Sequence, residues 1–216
     1  MGGMNAEAIA SLTTAAGTLV LAVATFSATR SANRASRIAE RSLSATLRPV
    51  LMNTQLGDPQ QKVGFADNHW VHIEGPGAAL EQGDDAIYAV IGLRNVGSGI
   101  GILQAWNPIP ERILGRVPHS PVDQFRPQTR ALYIPPGGIG FWQGALRDPA
   151  EPVYDQFAEA IKNRTPVTIE LLYSDMNGGQ QTVTRVTVGP ASEDRWMATV
   201  SQHWMLSSHT PIGNHE

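Results

Sequence analysis

Residues 8–29, AIASLTTAAGTLVLAVATFSAT, contain neither charge nor proline, and all five arginines of the first 48 residues come after them. As a helix, 22 residues reach roughly 33 Å, enough to cross a hydrocarbon core. Hydroxyl side chains dilute the run, among them Ser11, Thr13, Thr14, Thr18, Thr25 and Ser27. Such hydroxyls can bond to preceding helix carbonyls in lipid. A cleaved signal peptide requires positive charge ahead of the apolar run, and only Glu7 stands there. The segment therefore predicts a membrane span over residues 1–29, including its short N-terminal tail. By the positive-inside bias the N-terminus lies outside and the rest in the cytoplasm, across the inner (cell) membrane.

Residues 30–48 extend this helix and stop at Arg48-Pro49, because proline disfavours helical geometry at its predecessor. Small residues recur at Ala28, Ala32, Ala35, Ala39, Ser42 and Thr46, and the register runs back through Thr25, Leu21 and Thr18. That heptad stripe predicts close helix approach, to a membrane-protein partner or a second copy. Arg30, Arg34, Arg37 and Arg41 lie off the stripe, where they can meet anionic headgroups of the bilayer at about 1 kcal/mol each.

The remainder has the opposite charge. Residues 1–48 carry +3 and the rest, with eleven basic and seventeen acidic residues, carries −6. That balance argues against nucleic acid as a partner. The absence of cysteine removes disulfides, thiolate metal sites and cysteine catalysis, and fits a reducing compartment.

After Pro49 short apolar runs alternate with Gly, Pro, Asn and Asp, which predicts a β domain over 49–207 and a flexible tail over 208–216. Candidate strands are 65–73, 86–97 and 99–109, and 131–142 reads as a strand, a turn and another short strand. In 86–97, Ile87, Ala89, Ile91 and Leu93 alternate with Tyr88 and Val90, so both faces should be covered. A helix is expected over 153–163, with Val153, Phe157, Ala160 and Ile161 inward, and a hairpin over 165–188 about SDMNGG. In 196–206, Trp196, Ala198, Val200, Trp204 and Leu206 should share one side, and His203 the other with Met197, Thr199 and Met205. The stretch EGPGAALEQGDD reads as turns. The expected fold is mainly β: an antiparallel β-sandwich with one inserted helix, or a smaller open barrel.

No motif names a reaction. His69 and His72 fall on opposite faces of an expected strand, and His209 and His215 sit in the tail; no compact metal-ligand pattern appears. NVGSGIG lacks both the GxGxxG spacing and a following Lys-Ser/Thr, and PPGGIG reads as a turn. No GxSxG occurs. Thus no catalytic residue, cofactor site or metal site is assigned. The tryptophans at 70, 106, 142, 196 and 204 each lie near a candidate strand, and a ring at an edge can anchor a partner. The proline-broken stretch around 110–130, bearing Arg112, Arg116, Arg126 and Arg130, is the candidate partner-binding surface.

LRPVL at 47–51, LRNVGSG at 93–99, RALYIPPGG at 130–138 and VTIELLYSDMNGGQQTVTR at 167–185 resemble landmarks of a group of uncharacterised, actinobacteria-like single-span bacterial membrane proteins. That resemblance implies an N-terminal span, an Ala/Arg/Ser helix and a cytoplasmic β-rich domain, and no catalytic residue. The functional expectation is a membrane-anchored interaction or accessory subunit. Its rivals are a tethered enzyme or small-ligand binder with a cleft near 110–150, and a soluble protein whose N-terminal helix packs on its own core.

Overall fold

The structure is a computed structural model and describes residues 3–206; the tail with His209 and His215 lies outside the described residues, as do the side chains of 3–10, 12–15, 20, 40–41 and 43–45. The chain divides into two units, Met1–Ala45 and Thr46–Glu216.

The first unit is one helix, α1 (Gly3–Thr46), so the expected membrane and juxtamembrane segments are continuous. Helix formers fill it, and it ends before Pro49 as the sequence predicts. Among the described residues, no helix is long and apolar enough to cross a membrane, so the structure lends the expected span no support.

The second unit is mainly β. Its strands are β1 (Leu51–Asn53), β2 (Gln61–Gly64), β3 (Trp70–Ile73), β4 (Gly77–Gln82), β5 (Ile87–Asn95), β6 (Gly101–Ile109), β7 (Arg126–Ile134), β8 (Ile139–Leu146), β9 (Val167–Ser174), β10 (Gln181–Ser192) and β11 (Arg195–Met205). Instead of two stacked sheets, nine of them join one antiparallel sheet in the order β8-β5-β4-β11-β10-β9-β6-β7, with β1 beside β5 beyond the end of β4. The sheet curls around a single core that includes Ile91, Leu103, Trp142, Phe157, Ile169, Tyr173 and Val186. Bulges between Leu103 and Ala105 and between Arg185 and Val186 add the local twist that lets one sheet enclose its own apolar face. The expected sandwich is corrected in this respect, and the open-barrel alternative is nearer.

Sheet ends β7 and β8 are consecutive in the chain yet share no ladder. A side chain bridges them: Gln128 Nε2 donates to the Gln143 carbonyl at 2.8 Å, and Trp142 Nε1 donates to Gln128 Oε1 at 3.0 Å. Helix α2 (Pro152–Asn163) adds Tyr154, Phe157 and Ala160 to the core. It starts with Pro152 in the first turn and stops at Arg164 in the left-handed conformation (φ 54°).

Outside the sheet, two layers cover what alternation exposes. The β2–β3 hairpin packs Val63, Phe65, Val71 and Ile73 over Ala79, Tyr88 and Val90, so both faces of β5 are covered as expected. Residues 65–69, expected in a strand, form the hairpin's turn, and β4 occupies part of the stretch read as turns. The bulge on β11 also divides the stripe expected to share one side: Trp196, Ala198 and Val200 join the main core, whereas Trp204 and Leu206 pack on the outer face, and Thr184 takes His203.

The second cover is the segment between β6 and β7. It contains one 3-10 turn, Val122–Gln124, and lies on the outer face of β9 and β10, where Val122 and Phe125 meet Leu172, Val183 and Trp204. Its clamp is a buried ion pair. Glu170 and Arg185 face each other across β9 and β10, at 0% and 1% exposure, with Arg185 Nη2 2.6 Å from Glu170 Oε1. Arg185 also donates to the Val117 and Pro118 carbonyls at 2.9 and 2.8 Å, and Glu170 Oε2 accepts the Ser120 N–H at 2.9 Å. Arg185 Nη1 and Nη2 and Glu170 Oε2 thus fasten an irregular backbone, while Arg185 Nε and Glu170 Oε1 bond to each other.

The motifs LRPVL and LRNVGSG meet as well. Buried Asn95 accepts from the N–H of Val50 and Gly97 and donates to the Gly99 and Ile134 carbonyls. A Cβ on Gly99 would fall 1.8 Å from the Leu47 carbonyl oxygen, so this glycine serves close backbone approach rather than phosphate binding.

Removing one partner of a buried pair strands the other charge, which costs about 3–5 kcal/mol, while an apolar replacement of both is often near neutral. Arg185→Met should lower stability by that amount in urea denaturation, and Glu170→Leu added to it should recover a substantial part. Additive losses would show that the two side chains do not act as a pair.

Candidate functional site

The cleft of the second unit follows from this layering. Where the β2–β3 hairpin and β7 flank β8, a cleft of about 800 Å³ remains. One wall is the hairpin, with Gly64, Phe65 and the half-exposed Trp70. The other is Trp106 with Arg126, Gln128 and Arg130, and the floor is Gln143, Gly144 and Ala145. Gly144 is required by the packing beneath it: a Cβ there would come within 2.5 Å of Trp142 and 2.9 Å of Trp106. Those two rings meet edge to face at 5.0 Å.

The charged groups around the cleft are mostly committed. Arg126 lies over the Trp106 ring at 4.9 Å and pairs with Glu151 at 2.8 Å. Arg147 pairs with Asp67 at 2.7 Å. Asp148 Oδ1 accepts the Ala150 N–H at 2.9 Å. Gln143 is the exception on the floor: only 8% exposed, it has no partner for Oε1. A buried polar atom without a partner is uncommon in folded proteins.

Beside the cleft, Tyr88 donates its hydroxyl to Asp67 at 2.5 Å, and His69 stacks on Tyr88 at 3.9 Å with Nε2 2.9 Å from Glu81. The Tyr88 hydrogen bond, reinforced by Arg147, holds the Asp67 carboxyl down to about 2. The same bond raises Tyr88, and Asp67 raises Arg147. Each shift moves the group's pKa further from pH 7, which fixes its protonation state and does not poise a proton for transfer. His203 is pushed down by burial, and its Nδ1 stands 2.7 Å from the Thr184 hydroxyl. Among the described residues, no three acidic or histidine side chains gather as a metal-holding group.

Of the four arginines read as partner-binding, Arg126 and Arg130 line the cleft, while Arg112 and Arg116 are exposed in the cover segment and do not. On α1 the side chains of Ala28, Ala32, Ala35, Ala39, Ser42 and Thr46 are exposed, as are those of Arg30, Arg34 and Arg37; the side chain of Arg41 lies outside the described residues. Sequence reasoning missed Gln143 and Gly144. The only signal was the alternation of 139–146, which puts Gln143 opposite the tryptophan beside it.

The Asp67 shift carries a pH signature. With a folded value near 2 and an ordinary value of 3.8, its stabilising contribution is complete above 3.8 and is lost as pH falls towards 2. Asp67→Asn should flatten the fall of melting temperature across that window. A slope unchanged from wild type would show that the Tyr88–Asp67–Arg147 network does not hold in solution.

No family model matches the chain, and no curated protein matches it. Among solved structures, the crystal structure of a protein from Archaeoglobus fulgidus is similar at a TM-score of 0.24 and 8% identity, covering 62% of this chain and 95% of the other. The X-ray structure of Northeast Structural Genomics Consortium target SoR45 is similar at a TM-score of 0.21 and 8% identity, covering 79% of this chain and 95% of the other. Likenesses this low carry no argument about fold or activity.

Proposed function

We propose that this chain is a helix-anchored interaction protein, an accessory subunit held to the bilayer by α1 and presenting its β domain to a protein partner in the cytoplasm. The observation that carries the reading is the surface of α1. Leu19, Leu21, Val23 and Phe26 are 63–70% exposed within the charge-free run, and exposed Arg30, Arg34 and Arg37 follow. Apolar area in water costs roughly 25 cal/mol per Å², and lipid removes that cost.

The described residues of α1 fall short of the apolarity of a spanning helix. Three hydroxyls of the charge-free run, however, are turned onto the helix itself. Thr25 and Thr29 donate to the carbonyls four residues back, and Ser27 to the one three back, each at 2.8 Å. A hydropathy index counts these groups as open to water, whereas bonded ones enter lipid at lower cost. The arginines on the C-terminal side favour a cytoplasmic β domain. The small-residue stripe from Ala28 to Thr46 offers close approach to a partner helix, and Arg112 and Arg116 offer charge on the β domain's cover. The ligand-binding rival is favoured by a separate observation, the cleft of about 800 Å³ lined by residues of β7 and β8.

The test is fractionation of full-length protein in its native membranes. Wild type should stay with the membrane through alkaline carbonate and leave with detergent. Leu21→Lys combined with Val23→Lys should shift it to the soluble fraction. Release of wild type by carbonate, or solubility without detergent, would contradict the anchoring.

A further inference from the structure

We propose that the outer edge of β8 docks a single extended segment of the protein partner, which adds to the sheet as a strand inside the seam between β8 and β7. The inference deepens the interaction reading above, on which the identity of the occupant rests, and does not depend on how α1 is anchored.

The topology leaves this edge open. β8 pairs with β5 on one side, and among the described residues no strand pairs with its other side. Which groups point there follows from the ladder. The N–H of Asn95 donates to the Gly138 carbonyl, while the Gly92 carbonyl turns the other way and accepts from Thr54. Bonded residues alternate in an antiparallel pair. Gly140, Trp142 and Gly144 therefore turn their main-chain groups to β5, and Phe141, Gln143 and Ala145 turn theirs to the seam. The Gln143 carbonyl agrees with this phase, since it accepts from Gln128 Nε2 across the seam. Sheet edges usually carry charges, prolines or bulges that deter another strand. β7 has all three, in Arg126, Pro127, Arg130 and its irregular register with β6. IGFWQGAL of β8 has neither charge nor proline.

Gln128 points to what fills the seam. Its side chain ends in an amide, the group of a peptide bond, and Nε2 makes to the Gln143 carbonyl the bond that the N–H of an added strand would make. It stands in for one rung of a missing strand. A side chain that reaches across to a carbonyl needs more room than the ~4.8 Å between paired strands. A cleft of about 800 Å³ opens there, along 126–130 and 143–145. The β2–β3 hairpin and β7 flank β8, so a second folded copy cannot bring its own sheet edge in, whereas an isolated strand can. Main-chain bonds would hold such a segment, and pockets for its alternate side chains would select it. Trp70, 52% exposed on the hairpin, suits an apolar side chain. Charges of both signs surround the cleft, Arg126, Arg130, Arg147, Asp148 and Glu151, so the rim demands neither sign.

A random heptapeptide display library supplies the probe, selected against full-length protein in detergent and counter-selected on empty micelles. Equilibrium dialysis then measures the affinity of the selected peptide, and residue-resolved hydrogen exchange locates it. The peptide should slow exchange at the Gln143 and Ala145 amides and leave Gly144, already bonded to β5, unchanged. N-methylation at alternate peptide residues should weaken binding about tenfold at each, as for one neutral hydrogen bond, and at the residues between should not. Gln128→Ala should tighten binding, because the peptide no longer displaces the side-chain amide. Ala145→Pro removes a seam-facing N–H without touching the β5 ladder, and should weaken binding about tenfold. No enriched peptide, protection away from β8, or sensitivity to N-methylation without alternation would overturn the proposal. So would concentration-dependent dimerisation that protects Gln143 and Ala145 in the absence of peptide, which gives the edge to a second copy. If Ala145→Pro does not fold, the alternation on wild type still decides it. Release of α1 from membranes by carbonate leaves these readouts untouched, so the two readings fail separately.

Discussion

A carboxylate and a guanidinium inside a protein are tolerated only when their remaining hydrogen-bonding capacity is used, and Glu170 and Arg185 use theirs on a segment that is irregular apart from one short 3-10 turn. Their facing register on β9 and β10 puts both on the outer side of the sheet. Ile113 adds a bond from its N–H to Thr168 Oγ1, on the same face. The proline-broken stretch is thereby a fitted cover, and Leu172, Val183 and Trp204 beneath it form an apolar cluster in its own right.

The two covers frame the cleft beside β8. One closes the outer face of β9 and β10, and the β2–β3 hairpin closes that of β5. Between them the curled sheet's ends, β7 and β8, are held by the Gln128 side chain and not by a ladder. A seam joined by side chains leaves backbone and floor groups near the surface, and the cleft with Gln143 lies there. Trp106 and Trp142 make the seam rigid from the core side.

Elements whose information is local could be read from the sequence. Helix α2 showed its apolar stripe, the β9–β10 hairpin its turn and alternation, and β5 its two covered faces. What failed depended on distant partners. β4 escaped because GAALEQ has neither alternation nor β-branched residues, and it is a strand only because β5 and β11 flank it. The bulge that sends Trp204 outward is set by pairing with β10, which spacing within 196–206 does not reveal. Arg126 and Arg130 were singled out as a region, yet the same reasoning grouped them with Arg112 and Arg116, which the fold places elsewhere. Gln143 was invisible for a simpler reason: a lone glutamine in a strand carries no sign of whether its amide has a partner.

The most direct test of the account is residue-resolved amide hydrogen exchange across 110–125 in the full chain. If the ion pair fastens this cover, the amides of Ile113 and Ser120 exchange on the slow timescale of β9 and β10, despite lying outside regular structure. Exchange of both at the rate of an open loop, with β9 and β10 still protected, would show that the segment is a free insertion and that the pair does not organise the domain.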